Sequence, residues 1–284
     1  MEVLIGFVIA VIIALTGVGA GTITAPLLIL FLHVPVDVAV TTALAYSAIV
    51  KLIVVPVQVL RKQVSYRVLG YMLLGGLPGV ILGSILFAHV VAHGSKSFLY
   101  AVLGAIIVFS SGWHIYRYFV PSTVPRATAY QSSLPPKRRK WVSLLMFPIG
   151  AEVGFSSSGA GALGTVALLG LTTLSASQVV GTDLSFGLGL SIVGTGIHMI
   201  GGSYNALLLA QLAVGGILGA LLGSGVAPRI PNRQLRLALS LWLLFIGFEF
   251  CYQASQPTAA PHVYSNAYVH TDQRADSSGG SEPQ

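Results

Sequence analysis

Apolar residues run along this chain in long blocks separated by glycine, proline and short basic clusters. Reading those blocks and their breakers predicts eight segments, at 3–33, 37–60, 67–90, 97–119, 141–172, 177–200, 205–228 and 234–252. Val3 to Val36, Val68 to Ala88 and Leu184 to Pro228 contain no Asp, Glu, Lys or Arg. Each of these runs exceeds the roughly 20 residues needed to cross a bilayer core as a helix.

The pattern repeats. Gly19-Ala20-Gly21 recurs as Gly159-Ala160-Gly161, Gly75-Gly76 as Gly215-Gly216, Gly79 as Gly219, and Gly83-Ser84 as Gly223-Ser224, all at one offset of 140 residues. Coincidence at a single spacing marks two related halves of four segments each, and internal duplication is how many secondary transporters build one central site with two exits.

Composition sharpens the class. Hydrophobic residues make up 54% and charged residues 8%, where soluble domains carry about a quarter charged residues, too few here to cover a water-facing surface. The expected fold is an all-α polytopic membrane protein. Its parts are an N-terminal transmembrane repeat at 1–120, a basic, Pro/Ser/Thr-rich linker at 121–140, a C-terminal repeat at 141–253 and a disordered tail at 254–284. Met1-Glu2-Val3 lacks the basic start of a cleavable signal, so the first segment is expected to stay in the mature protein. The formal charge of +7 comes largely from Lys and Arg between segments, which points to membrane topology and away from a nucleic-acid partner. A single cysteine, Cys251, excludes an intramolecular disulfide and a cysteine metal cluster. No His, Cys and carboxylate spacing fits a metal, and no cofactor is implied.

Segments 1 and 5 are each about 30 residues long with small residues near the middle, Thr16-Gly17-Val18-Gly19-Ala20-Gly21 and Ser156-Ser157-Ser158-Gly159-Ala160-Gly161. Either each is one broken, tilted span in parallel halves, or each re-enters and the halves are inverted. The basic residues favour inversion: it gathers Arg61, Lys62, Arg67, Arg117, Arg126, Lys137 to Lys140, Arg229, Arg233 and Arg236 on the cytoplasmic side, leaving Lys96 and Arg274 opposite.

Few ionisable groups lie inside the apolar segments: Lys51, Glu152, Asp183 and His198. Each costs about 2.5–3.5 kcal/mol at a helix centre on insertion scales, so each is a functional candidate. Counting residues inward from the segment ends puts Lys51 and Asp183 about 9–10 Å from the same face in the inverted arrangement, which makes them a coupled pair near the substrate path or a bridge between segments 2 and 6. Glu152 is a candidate proton carrier or a carboxylate satisfied by nearby hydroxyls, and His198 a candidate proton handler or an interfacial histidine. Where a helix restarts after Gly21 or Gly161, its first N–H groups have no internal partner and its dipole attracts an anion. Thr16, Thr22, Ser156, Ser157, Ser158 and Thr165 add hydroxyl donors without net charge. Gly17, Gly19, Gly21, Gly159 and Gly161 would supply the close backbone approach, although small residues also serve plain helix packing. Nothing supports an enzyme: Gly17 to Gly21 lacks the Lys-Ser/Thr of a nucleotide loop, and the serines lack a His and Asp arrangement.

Thr16 to Gly21 followed by Ala25-Pro26-Leu27-Leu28 and Val40-Thr41-Thr42-Ala43-Leu44 resembles the first half of the sulfite exporter TauE/SafE family of membrane transporters. Ser158 to Gly161, Val180-Gly181-Thr182-Asp183-Leu184 and Gly196-Ile197-His198 are similar to its second half. The resemblance covers about residues 3–252. It implies export of sulfite or a related organosulfur anion across the bacterial inner membrane, and adds Thr42 and Thr182 to the expected substrate contacts. The chain departs from the family pattern at Thr41-Thr42-Ala43, where members often carry Gly-Thr-Asp, so only the second half keeps its acid. A competing expectation is a cation or proton channel using Asp183 and Glu152, and a third is a non-transporting membrane scaffold. The sequence leaves a homodimer open.

Overall fold

The computed structural model describes residues 1–16, 20–94, 96–119, 136–157, 163–172, 174–201, 204–226 and 232–255. Ten helices are described: α1 (Glu2–Thr16), α2 (Ala20–Leu32), α3 (Val36–Leu60), α4 (Tyr66–His93), α5 (Lys96–Phe119), α6 (Pro136–Ser156), α7 (Leu163–Leu171), α8 (Ala176–Ile200), α9 (Ala206–Val226) and α10 (Asn232–Ser255). Among the described residues there is no strand. Segments 1 and 5 are each two helices, α1 with α2 and α6 with α7, divided at the small-residue runs. Adding 140 to the limits of α3 gives the limits of α8, so the sequence offset is also a structural one.

One boundary moves. α6 starts at Pro136, ahead of the expected 141, so Lys137 to Lys140 belong to its opening turns and not to the linker. Proline is well placed at a first helical position, where its missing N–H had no intrahelical partner.

Four helices, α3, α4, most of α8 and most of α9, are long and apolar enough to cross a membrane, among the described residues and by length and composition. The outer surface carries the apolar side chains such a setting requires. Leu74, Ile81 and Leu82 are exposed on α4, and their counterparts Val214, Leu221 and Leu222 are exposed on α9. α3 instead runs through the interior, burying Val40, Leu44, Tyr46, Val50 and Val54.

The halves interlock. A β-carbon on Gly75, Gly79 or Gly83 of α4 would strike the carbonyls of Ser143, Phe147 or Ala151 on α6, and one on Gly215 or Gly219 of α9 would strike those of Val3 or Phe7 on α1. Gly75–Ser143 and Gly79–Phe147 map onto Gly215–Val3 and Gly219–Phe7 by adding or subtracting 140, and Gly83–Ala151 maps onto Gly223, whose β-carbon would come within 3.3 Å of Val11 O. The glycine stripe of each half therefore packs on the first helix of the other, as a two-fold relation demands. Gly76 seats the Phe186 ring and Gly216 the Tyr46 ring, again an equivalent pair.

Helix directions follow from the order of these contacts. α4 and α6 run parallel, since 75, 79 and 83 meet 143, 147 and 151 in sequence. α4 and α8 are also parallel, with Leu73 against Gly189 and Val80 against Gly194. α7 runs against α8, joined by a short turn and bonded from Thr165 to Asp183, so α6 and α7 point in opposite directions. α3 and α8 are antiparallel: Thr41 meets His198, while Ser47 meets Ser191. α5 and α10 are antiparallel too, with Gly104 at Cys251 and Gly247 at Val108.

Candidate functional site

Among the described residues, several polar groups cluster within the bundle. The first cluster is on the α3–α8 contact. Lys51, 3% exposed, donates to Ser191 Oγ at 3.2 Å, and Ser191 Oγ also lies 3.1 Å from Ser47 Oγ. The buried Asp183 on α8 lies close enough to interact electrostatically with Lys51. A lone buried charge would cost several kcal/mol, whereas opposed charges with hydroxyl partners offset much of that.

Asp183 builds the second cluster. Its Oδ2 accepts from Thr165 Oγ1 at 2.8 Å, and its Oδ1 lies so close over Gly164 that a β-carbon there would overlap it. Gly164 and Thr165 are in the first turn of α7, where N–H groups lack intrahelical acceptors and the dipole presents partial positive charge. The carboxylate is thus lodged at a helix N-terminus, the site type expected for a substrate anion.

The third cluster joins the two divided segments. Ser157 ends α6 in the left-handed region, φ 62°, with its N–H donating to Val153 O at 2.8 Å. A β-carbon on Gly21, in the opening turn of α2, would overlap both the carbonyl and the hydroxyl oxygen of Ser157. The end of one division therefore abuts the restart of the other. Ser157 is 5% exposed and, among the described residues, its hydroxyl has no hydrogen-bond partner; the buried Thr42 hydroxyl on α3 has none there either. Buried hydroxyls without partners are uncommon in folded proteins and call for a reason.

His198 differs from the interfacial expectation. It is 7% exposed, stacks on Phe87 with centroids 5.0 Å apart, and places Nε2 2.9 Å from Gly154 O and Nδ1 3.4 Å from Thr41 Oγ1. A carbonyl only accepts, so Nε2 carries a hydrogen and donates. Ser84 donates to the same carbonyl at 3.4 Å. Together they satisfy one of the last carbonyls of α6, which has no intrahelical donor. His89 and His93, by contrast, are exposed and stacked on each other.

The remaining candidates divide. Ser156 donates to Glu152 O at 2.9 Å within α6, and Glu152 is half-buried. Thr182 accepts from the Ser65 N–H at 3.0 Å, tying α8 to the entry of α4. Gly17, Gly19, Ser158, Gly159 and Gly161 lie outside the described residues, as do the side chains of Thr16, Thr22 and His114. Ser47, Ser191 and Gly164 were not candidates from sequence. Ser191 had a signal, since it occupies the position of Lys51 in the other half.

Comparison with known proteins agrees with this architecture. The family model described as sulfite exporter TauE/SafE matches residues 3–250. The chain is also similar to the probable membrane transporter protein YjnA of Bacillus subtilis (strain 168), 29% identical over 249 residues that cover 87% of this chain and 97% of that protein. No solved structure matches. With the match spanning both interlocked halves, the chain belongs to the sulfite exporter TauE/SafE family of membrane transporters.

Proposed function

We propose that this protein is a secondary transporter that exports a small sulfur-containing anion, sulfite or an organosulfonate, from the bacterial cytoplasm across the inner membrane. The observation that carries this reading is the abutment of Gly21 on Ser157. It puts a buried hydroxyl without a partner beside the restart of α2, inside a bundle with an apolar outer surface. Partial positive charge and a hydroxyl donor suit an oxyanion, and neither adds a net charge that would hold it too tightly to release.

Inverted halves support alternating access. Antiparallel packing of the equivalent helices α3 and α8, and of α5 and α10, is what an axis in the membrane plane produces, since an axis along the normal would make them parallel. Opposed α6 and α7 fit a segment that enters and returns on one side. In this arrangement Arg61 and Lys62 after α3, Arg117 near the end of α5 and Lys137 to Lys140 at the start of α6 share an end of the bundle, which the positive-inside rule makes cytoplasmic. An interior-negative potential of about 100 mV then favours exit of a monovalent anion by about 2.3 kcal/mol, enough to drive export without a coupled ion.

Sulfite efflux from vesicles reconstituted with the full chain tests the proposal. Efflux should saturate with internal sulfite and drop at least about tenfold in Ser157→Gly, a change that keeps the backbone free to adopt φ 62°. Sulfite permeation no faster than in protein-free vesicles would overturn it.

A further inference from the structure

We infer that Asp183 is a tethered anion: its carboxylate occupies, at the start of α7, the seat that the transported oxyanion takes at the start of α2, so that each chain holds one built-in and one exchangeable anion. The inference rests on the reading of α2 and Ser157 as the substrate site.

The two helix starts are alike in their own registers: Gly164 is the second residue of α7 and Gly21 the second of α2, each with an oxygen where a β-carbon would stand. In the repeat, Gly164, Thr165 and Asp183 match Thr24, Ala25 and Ala43, one turn further into α2 than Gly21. At the α7 end the carboxylate accepts from Thr165 at 2.8 Å, presses on Gly164 in the first turn and faces the field of Lys51. At the α2 end the counterpart of Asp183 is a fully buried methyl group, Ala43. The polar group there comes instead from the other half, as the partnerless Ser157 hydroxyl against Gly21. One helix start thus carries a carboxylate of the chain's own, and its equivalent carries a hydroxyl donor that matches a guest's oxygen. A carboxylate and a monovalent sulfur oxyanion share the relevant chemistry: negative oxygens that only accept hydrogen bonds.

Charge balance gives the arrangement a purpose. Lys51 is offset by Asp183, so the incoming anion meets partial charges and not a full cation, which keeps its release fast. Removing the Asp183 carboxylate would leave Lys51 and the α7 start facing a carboxylate-sized space, and a small monovalent anion should enter it.

Formate is the probe for that seat, with the purified full-length protein held at constant ionic strength by gluconate. The melting temperature of Asp183→Ala should rise saturably with formate. The wild type, and Asp183→Asn whose amide fills the same volume, should not respond, and Lys51→Ala added to Asp183→Ala should abolish the response. Calorimetric titration with sulfite should give one site per wild-type chain and two in Asp183→Ala. Ala43→Asp tests the claim without emptying the α7 end: a second tethered carboxylate should weaken sulfite binding at least about tenfold. An Asp183→Ala protein indifferent to formate, an Asp183→Asn protein equally stabilised by it, or sulfite binding untouched by Ala43→Asp would overturn the inference. A wild type that binds no sulfite while Asp183→Ala takes formate would instead sink the substrate reading and leave the tethered anion standing.

Discussion

Lys51 and Ser191 hold the same position in the two halves, 140 residues apart, and they touch: the ammonium donates to the hydroxyl at 3.2 Å. α3 and α8, equivalent in the repeat, run antiparallel and meet at these equivalent positions. There the symmetry is deliberately broken, since one half supplies a cation and the other a neutral acceptor. Asp183, whose counterpart is Ala43, breaks it again with the opposite sign.

That pairing predicts a non-additive stability series. Lys51→Met leaves Asp183 as a buried charge without its cation and should cost about 3–5 kcal/mol. Asp183→Asn should be costly in the same sense. The double variant should lose clearly less than the sum, because neither charge remains to be solvated by the interior. Thermal unfolding of the four proteins in one detergent measures the coupling, and strict additivity would show that the two charges do not act together.

The interlocking glycines predict matched effects in the two halves. Gly79→Val and Gly219→Val each drive a side chain into a facing carbonyl, of Phe147 and Phe7, and should each destabilise by about 1–3 kcal/mol. Gly70→Ala, also on α4, meets nothing within 4 Å and should stabilise by up to about 1 kcal/mol through helix propensity. Unequal losses at Gly79 and Gly219 would mean that the two interfaces are not energetic equivalents.

Much of this was legible in the residues. The 140-residue offset predicted two halves, and it picked out Gly75, Gly79 and Gly83, each of which meets a backbone carbonyl of α6. Sequence could not say what they meet, because a stripe of small residues records close approach and not the identity of the approaching helix. Depth counting in the inverted arrangement expected Lys51 and Asp183 at one level as a coupled pair, because helical rise converts residue number to distance; the hydroxyls that each engages, Ser191 and Thr165, were not foreseeable that way. The setting of His198 was not: its partners Gly154, Thr41 and Phe87 are 44, 157 and 111 residues away, brought together only by the α3, α4, α6 and α8 packing. The start of α6 was missed because a Lys and Arg run reads as solvent whether it is linker or first turn.

His198 yields a prediction about stability at the end of α6. Replacing it with Ala removes the donor to Gly154 O and should cost about 1–3 kcal/mol as a buried carbonyl loses its better partner. His198→Gln should recover part of the loss, since an amide N–H can donate to the same carbonyl and the first half carries Gln58 at the equivalent position. Equal instability of the Ala and Gln variants would show that the ring stacking on Phe87, and not the hydrogen bond, holds this end.

Ser157 separates stability from function. A non-glycine residue at φ 62° is strained by about 1 kcal/mol, so Ser157→Gly should melt at or above the wild-type temperature while losing sulfite binding. Ser157→Thr tests the other half of the claim: it keeps the hydroxyl but adds β-branching where that is least tolerated, and should lower stability while retaining more binding than the glycine variant. If both variants bind sulfite as the wild type does, the hydroxyl is not a ligand.

Orientation gives the last prediction. With α3 and α8 antiparallel and α4 parallel to α6, the start of α4 and the start of α6 lie at one end of the bundle. The start of α5 and the end of α10 lie at the other, because α5 returns after α4 and runs against α10. In a Cys251→Ser background, a cysteine replacing exposed Ser255 should therefore react with an impermeant maleimide added to intact cells, as should one at Ser97 near the start of α5. A cysteine at exposed Lys62 should react only after the membrane is opened. Protection of Ser255 together with labelling of Lys62 would reverse the sidedness and with it the direction in which the membrane potential drives the anion, whereas labelling of both from outside would break the inverted arrangement itself.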